Sequence, residues 1–102
     1  MQQPSPSGKT SLPDDAQFLG SDTYFVKMFL DDGTWVGIEE IHKRLVDDSW
    51  EWCAGYVPFE HLSRTGTVWQ VESLDPLTLR PSLLCNTCNH HGFIRQGQWA
   101  PA

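Results

Sequence analysis

The sequence lacks any apolar run of the length a membrane helix needs, about 20 consecutive residues, so no bilayer span is expected. Positive charge is also scarce. Seven Lys and Arg stand against thirteen Asp and Glu, for a formal net charge of −6. The cations are scattered, whereas binding to a phosphate backbone rests on clustered Lys and Arg, so nucleic acid is disfavoured as a partner. Cysteine is sparse and odd in number, three in the chain. That argues against a framework built from disulfides alone, and the Cys-x-x-Cys spacing of Cys85 and Cys88 favours metal or redox chemistry in a reducing compartment. The first residues carry no basic stretch followed by an apolar one, so no secretory signal is expected. The acidic residues come in pairs, Asp14-Asp15, Asp31-Asp32, Glu39-Glu40 and Asp47-Asp48, which read as solvated surface or as a docking face for a basic partner.

What is present is aromatic. Five Trp and five Phe in 102 residues supply large apolar surface to a chain long enough for one domain. A core this small often needs a disulfide or a metal as a staple. Residues 1–20 are expected to form a disordered arm, because their first part is rich in Pro, Ser and Gly and nearly devoid of apolar side chains. Residues 21–102 are expected to form a single zinc-binding, β-rich domain. Within it, Tyr24 to Leu30 and Thr34 to Ile38 read as a hairpin about the turn Asp31-Asp32-Gly33. Ile38, Ile41, Leu45 and Val46 recur at helical spacing, with acids before bases, and predict a short amphipathic helix over Ile38 to Val46. His42 then falls beside the apolar stripe as a boundary residue. Trp50 to Cys53, Tyr56 to Phe59, Thr67 to Leu74, Leu77 to Leu79 and Ser82 to Leu84 read as short strands. Pro58 and Pro81 mark edges or interruptions. The expected class is α+β, with five to seven short strands and one short helix.

The densest chemistry lies near the C-terminal end, in LTLRPSLLCNTCNHHGFIRQGQW. Cys85, Cys88 and His91 lie close together, and thiolate sulfur and imidazole nitrogen are the preferred ligands of a tetrahedral structural Zn²⁺. The fourth ligand is expected from Cys53 or His61. Cys53 is preferred, because a thiolate neutralises more of the metal's charge in a small apolar site and the residue ends a predicted strand. His90 and His91 are neighbours whose Cβ directions diverge in extended chain, so only one of them is expected to be a ligand. A thioredoxin-like redox pair, a chance cluster of reduced thiols and a catalytic metal with an open position are the competing readings. An iron–sulfur cluster normally takes four thiolates, more than the chain has.

The pattern formed by Leu79, Pro81, Ser82, Leu83, Leu84, Cys85, Cys88, His91, Gly92, Phe93, Ile94, Gly97 and Trp99 resembles a family of small proteins of unknown function. They are encoded mostly by tailed bacteriophages and prophages, notably those of actinobacteria. The resemblance covers roughly Thr67 to Ala102, and the chain departs from it at Arg80 and near His90. It implies a phage source, a metal-bound β-rich fold, residence in the host cytoplasm or the virion, and no assigned activity.

The function expected on these grounds is non-enzymatic: a phage accessory or virion-associated protein whose zinc is structural and which binds another protein, host or phage. Exposed Trp side chains would serve as binding hot spots. A metal-dependent nuclease or hydrolase is the alternative, with His90 as general base, but no second acid/base constellation stands near the motif. A zinc ribbon that binds nucleic acid is a further alternative, against which the charge argues.

Overall fold

The computed structural model describes residues 7–9, 12–60, 68–85 and 90–102. Those residues form β-strands in the order β1 (Ser7–Lys9), β2 (Gln17–Gly20), β3 (Thr23–Phe29), β4 (Trp35–Val46), β5 (Ser49–Pro58), β6 (Gln70–Leu74), β7 (Leu77–Arg80), β8 (Leu83–Leu84), β9 (His91–Arg95) and β10 (Gln98–Pro101). They make a five-stranded sheet in the order β1-β5-β4-β3-β2, a three-stranded sheet β10-β9-β8 and the hairpin β6-β7. Every strand pair is antiparallel.

The α+β expectation is corrected: the described residues contain no helix, and the segment expected to be helical lies within β4, the longest strand at 12 residues. The cause is burial on both faces. Ile38 points inward and Ile41 outward, yet both are fully buried, so the strand loses the period-two alternation that would mark it. Apolar residues at 38, 41 and 45 then imitate a helical stripe. Pairing of β4 with β3 on one side and β5 on the other satisfies its backbone, which local propensity cannot outweigh. No helix among the described residues is long and apolar enough to cross a membrane.

Parts of the arm expected to be disordered are also strands: β1 pairs with β5, and β2 pairs with β3. Residues 1–6 and 10–11 of that arm lie outside the described residues, as does the turn expected at 63–66.

Turn chemistry sets the registers. Val46 pairs with Ser49, which leaves Asp47-Asp48 as a two-residue turn, both residues at positive φ (48° and 65°). Gln96-Gly97 joins β9 to β10 in the same way, at φ 51° and 73°. Two positive-φ residues define the type I′ turn whose twist suits antiparallel strands. The expected β3–β4 hairpin is present, closed by Leu30 N–H to the Thr34 carbonyl at 2.9 Å.

One face of the large sheet packs on the smaller elements. Phe25, Ile38 and Val57 from the sheet meet Leu77, Leu79, Leu83, Ile94 and Trp99, with Phe59 and Trp69 at the centre. Trp69 keeps its indole N–H satisfied by the Ser82 carbonyl at 3.3 Å, as a buried indole requires. Gly92 sits beneath the Trp99 ring. A Cβ there would lie 2.6 Å from two ring atoms, so only glycine lets the indole close over β9.

Candidate metal centre

The centre grows from one row of the large sheet. Thr23 of β3 pairs with His42 of β4, and His42 pairs with Cys53 of β5. Paired residues in a sheet present their side chains on the same face, and all three point into the protein and are buried. Glu40, two residues before His42, is on the same face and is fully buried. Gly55 stands opposite Glu40, so no side chain crowds the carboxylate from β5.

The tail supplies the other side. Leu83 pairs with Gly92 and Leu84 with His91, and Cys85 N–H donates to the His90 carbonyl at 2.9 Å. Alternation from buried Leu83 carries Cys85 inward, where it is 1% exposed. The same alternation separates the two adjacent histidines. His90 turns inward, while His91 is exposed and its Nε2 lies 2.9 Å from Ser82 Oγ.

The Sγ atoms of Cys53 and Cys85 lie 3.6 Å apart. A disulfide would bring them to about 2.05 Å, far shorter than this separation. Two thiolates on one tetrahedral zinc, each with a Zn–S bond of about 2.3 Å, stand about 3.8 Å apart. The observed separation is within a few tenths of an ångström of that edge. A ligand atom of His42 joins the two sulfurs, all three within 4.8 Å of one another.

His42 is oriented for this role. Its Nδ1 lies 2.6 Å from Glu40 Oε2, so Nδ1–H donates to the carboxylate and Nε2 is the nitrogen left to bind. A carboxylate behind a ligating imidazole fixes its tautomer and raises its basicity. Burial opposes charge on His42 and is the largest single influence. The hydrogen bond and charge of Glu40, with the nearby Cys85 thiol, outweigh it and hold the His42 pKa above the ordinary value.

A second set, Glu40, His42 and His90, also brings ligand atoms within 4.8 Å, but its geometry does not suit one ion. At 2.6 Å the Glu40–His42 contact is a hydrogen bond, shorter than the roughly 3.3 Å that separates two ligands on a tetrahedral zinc. The His42 and His90 rings stack at 4.1 Å and 19°. Lone pairs lie in the ring planes, so stacked rings cannot aim at one point. His90 instead fills a column between His42 and Trp99, the latter at 4.5 Å and 10°. The Thr23 hydroxyl donates to the Ser21 carbonyl at 3.1 Å and therefore accepts from His90 Nε2, 3.0 Å away. Burial, followed by the charge of His42, pushes the His90 pKa down to about 4.

Of the expected ligands, the structure brings Cys53 and Cys85 together and places His91 on the surface. Cys88 and His61 lie outside the described residues. His42 was expected at a boundary and is instead at the centre. The described site therefore holds two thiols and one imidazole that could bind a metal. Comparison with known proteins finds no matching family model, no matching curated protein and no matching solved structure.

Proposed function

We propose that the protein is a non-enzymatic binding domain whose fold is stapled by a structural Zn²⁺. The proposed ligands are His42, Cys53 and Cys85, with Cys88 as fourth on the strength of its Cys-x-x-Cys spacing alone. His42 takes the place first given to His91, because His91 faces solvent. The observation that carries this reading is the 3.6 Å approach of two buried sulfurs beside an imidazole already oriented by a carboxylate. Zinc, with its affinity for sulfur and nitrogen and its tolerance of tetrahedral geometry, suits that donor set.

Burial favours a structural over a catalytic ion. His42, Cys53 and Cys85 are each at most 2% exposed, whereas a catalytic zinc keeps a position open to water and substrate. The Cys53 and Cys85 thiolates already cancel the charge of Zn²⁺ and Cys88 would leave the centre at a net −1, a smaller charge to hold in a dry interior than that of the bare ion. The activity proposed is protein binding, and the phage accessory or virion setting rests on the resemblance of the tail motif.

Metal analysis of the reduced, purified protein tests the reading. About one zinc per chain is expected in the wild type and in His91→Ala, and a large loss in His42→Ala and Cys85→Ser. Cobalt substitution should add thiolate charge-transfer and tetrahedral ligand-field bands. A metal-free wild type, or a His42→Ala protein that keeps its zinc while His91→Ala loses it, would overturn the assignment.

A further inference from the structure

The face of the large sheet that points away from the core is not the polar surface that a half-solvated antiparallel sheet normally shows. Across β3, β4 and β5 its side chains are almost all apolar. Tyr24 and Trp52 meet edge to face at 5.8 Å, although β4 runs between their strands. Their rings therefore meet above β4 beside Ile41, whose register partner on β3 is Tyr24. Phe18 extends the ridge, 5.0 Å from Tyr24. Among the described residues of these three strands, the charged side chains on this face are Glu39 and Lys43, two positions to either side of Ile41.

The two ends of the face differ in shape. At the hairpin end, Leu45 and Trp50 are register partners and stand out, 58% and 69% exposed. At the other end is an apolar hollow lined by Met28, Val36, Gly37, Tyr56 and Pro58. Gly37 contributes no side chain there. A Cβ would lie 2.7 Å from the Val57 carbonyl oxygen, so the hollow is built into the backbone.

We propose that this face is the interface of a homodimer, closed by a second copy of the chain about a twofold axis. The axis lies in the interface, passes over Ile41 and runs across the strands. Such an axis lays each strand on its own counterpart with the ends exchanged. Leu45 then comes over the partner copy's residue 37 and Trp50 over its residue 58, so the projections of each copy enter the hollow of the other. Trp52 comes over residue 56, and Lys43 over residue 39.

Charge selects this axis over the other face-to-face twofold. An axis parallel to the strands would place residue 39 on residue 39 and residue 43 on residue 43. Like charges would then oppose each other inside an apolar contact, an arrangement that works against association. The axis across the strands converts both clashes into opposite-charge pairs, and it is isologous, as closed dimers require. Sheets packed in this way stand about 10 Å apart, close enough for Leu and Trp side chains to interdigitate. The inference does not depend on the metal reading, since His42, Cys53 and Cys85 all lie off this face.

The test is the solution mass of the full-length, metal-replete protein, measured across a dilution series by light scattering or sedimentation. A species of twice the 11.6 kDa chain mass is expected. Trp50→Ser, at an exposed site, should weaken association about tenfold or more with an unchanged circular dichroism spectrum. Lys43→Glu and Glu39→Lys should each weaken it comparably, and the double variant should recover most of the loss. Residues 39 and 43 of one strand are about 13 Å apart, too far to pair with each other, so recovery reports pairing between copies. A monomer at every concentration would overturn the proposal and leave the face to a different partner. So would a dimer indifferent to Trp50→Ser, or a double variant no better than the singles.

Discussion

Glu40 is buried, acidic and two residues from a proposed metal ligand, and its role is to position His42. With the carboxylate accepting from Nδ1 at 2.6 Å, the imidazole is held with Nε2 as the nitrogen left to bind. Glu40→Gln keeps the side-chain shape and an oxygen that can accept, but it removes the negative charge. Outer-sphere partners of this kind are worth about 10–100-fold in metal affinity. Glu40→Gln is therefore expected to retain zinc at saturation and to surrender it to a competing chelator at about 10–100-fold lower chelator activity. Affinity equal to that of the wild type would show that the contact is only structural. At this scale the sequence was half legible. Cys85 and Cys53 announce themselves, because few residue types bind metal and the chain has only three thiols. His42 does not, because its partnership with Cys53 exists only through a register, and an imidazole amid apolar residues carries no mark of its own. The choice between His90 and His91 likewise depends on which residue pairs with Leu84, a fact of pairing and not of spacing.

The β4–β5 hairpin is the element that creates the site, and its turn fixes everything above it. A two-residue loop at 47 and 48 forces Val46 onto Ser49 and, four rows on, His42 onto Cys53. With Ile38 to Val46 as a strand, the Asp-Asp turn places His42 opposite Cys53. Burial on both faces erases the alternation that would mark the segment as a strand. The turn is also locally costly: Asp48 sits at φ 65°, where an L-residue other than glycine pays roughly 1–2 kcal/mol, Asp less than most. Asp48→Gly would remove that cost, offset in part by the extra freedom glycine has in the unfolded chain. A net gain of about 0.5 kcal/mol is expected, read as a higher urea midpoint with an unchanged slope. A fall in stability would mean that the Asp48 side chain contributes more than its backbone conformation costs.

At the scale of the whole molecule, the metal would join two parts of the chain that are distant in sequence. Cys53 belongs to the large sheet and Cys85 to the tail, 32 positions apart, and β6 and β7 lie in the loop between them. A tie across a loop of that length removes unfolded-state entropy worth about 3.7 kcal/mol on the scale used for disulfides. A domain of this size has a total stability of only about 5–15 kcal/mol, so the tie would be a substantial fraction of it. The core does not consist of metal ligands alone, since Phe59, Trp69, Leu83 and Ile94 are fully buried and none of them is a proposed ligand. The expected outcome of chelation is therefore weakening, not collapse at room temperature. With a sensitivity of about 4–8 °C per kcal/mol for a chain near this length, removal of zinc should lower the melting temperature by on the order of 15–30 °C. The measurement is a thermal melt of the reduced protein with and without chelator, followed by readdition of zinc, which should restore the midpoint. Cys85→Ser, which cannot form the tie, should melt at the lower temperature in both conditions. A wild-type midpoint that ignores both chelator and zinc would place Cys53 and Cys85 among ordinary buried thiols and remove the staple from the account of this fold.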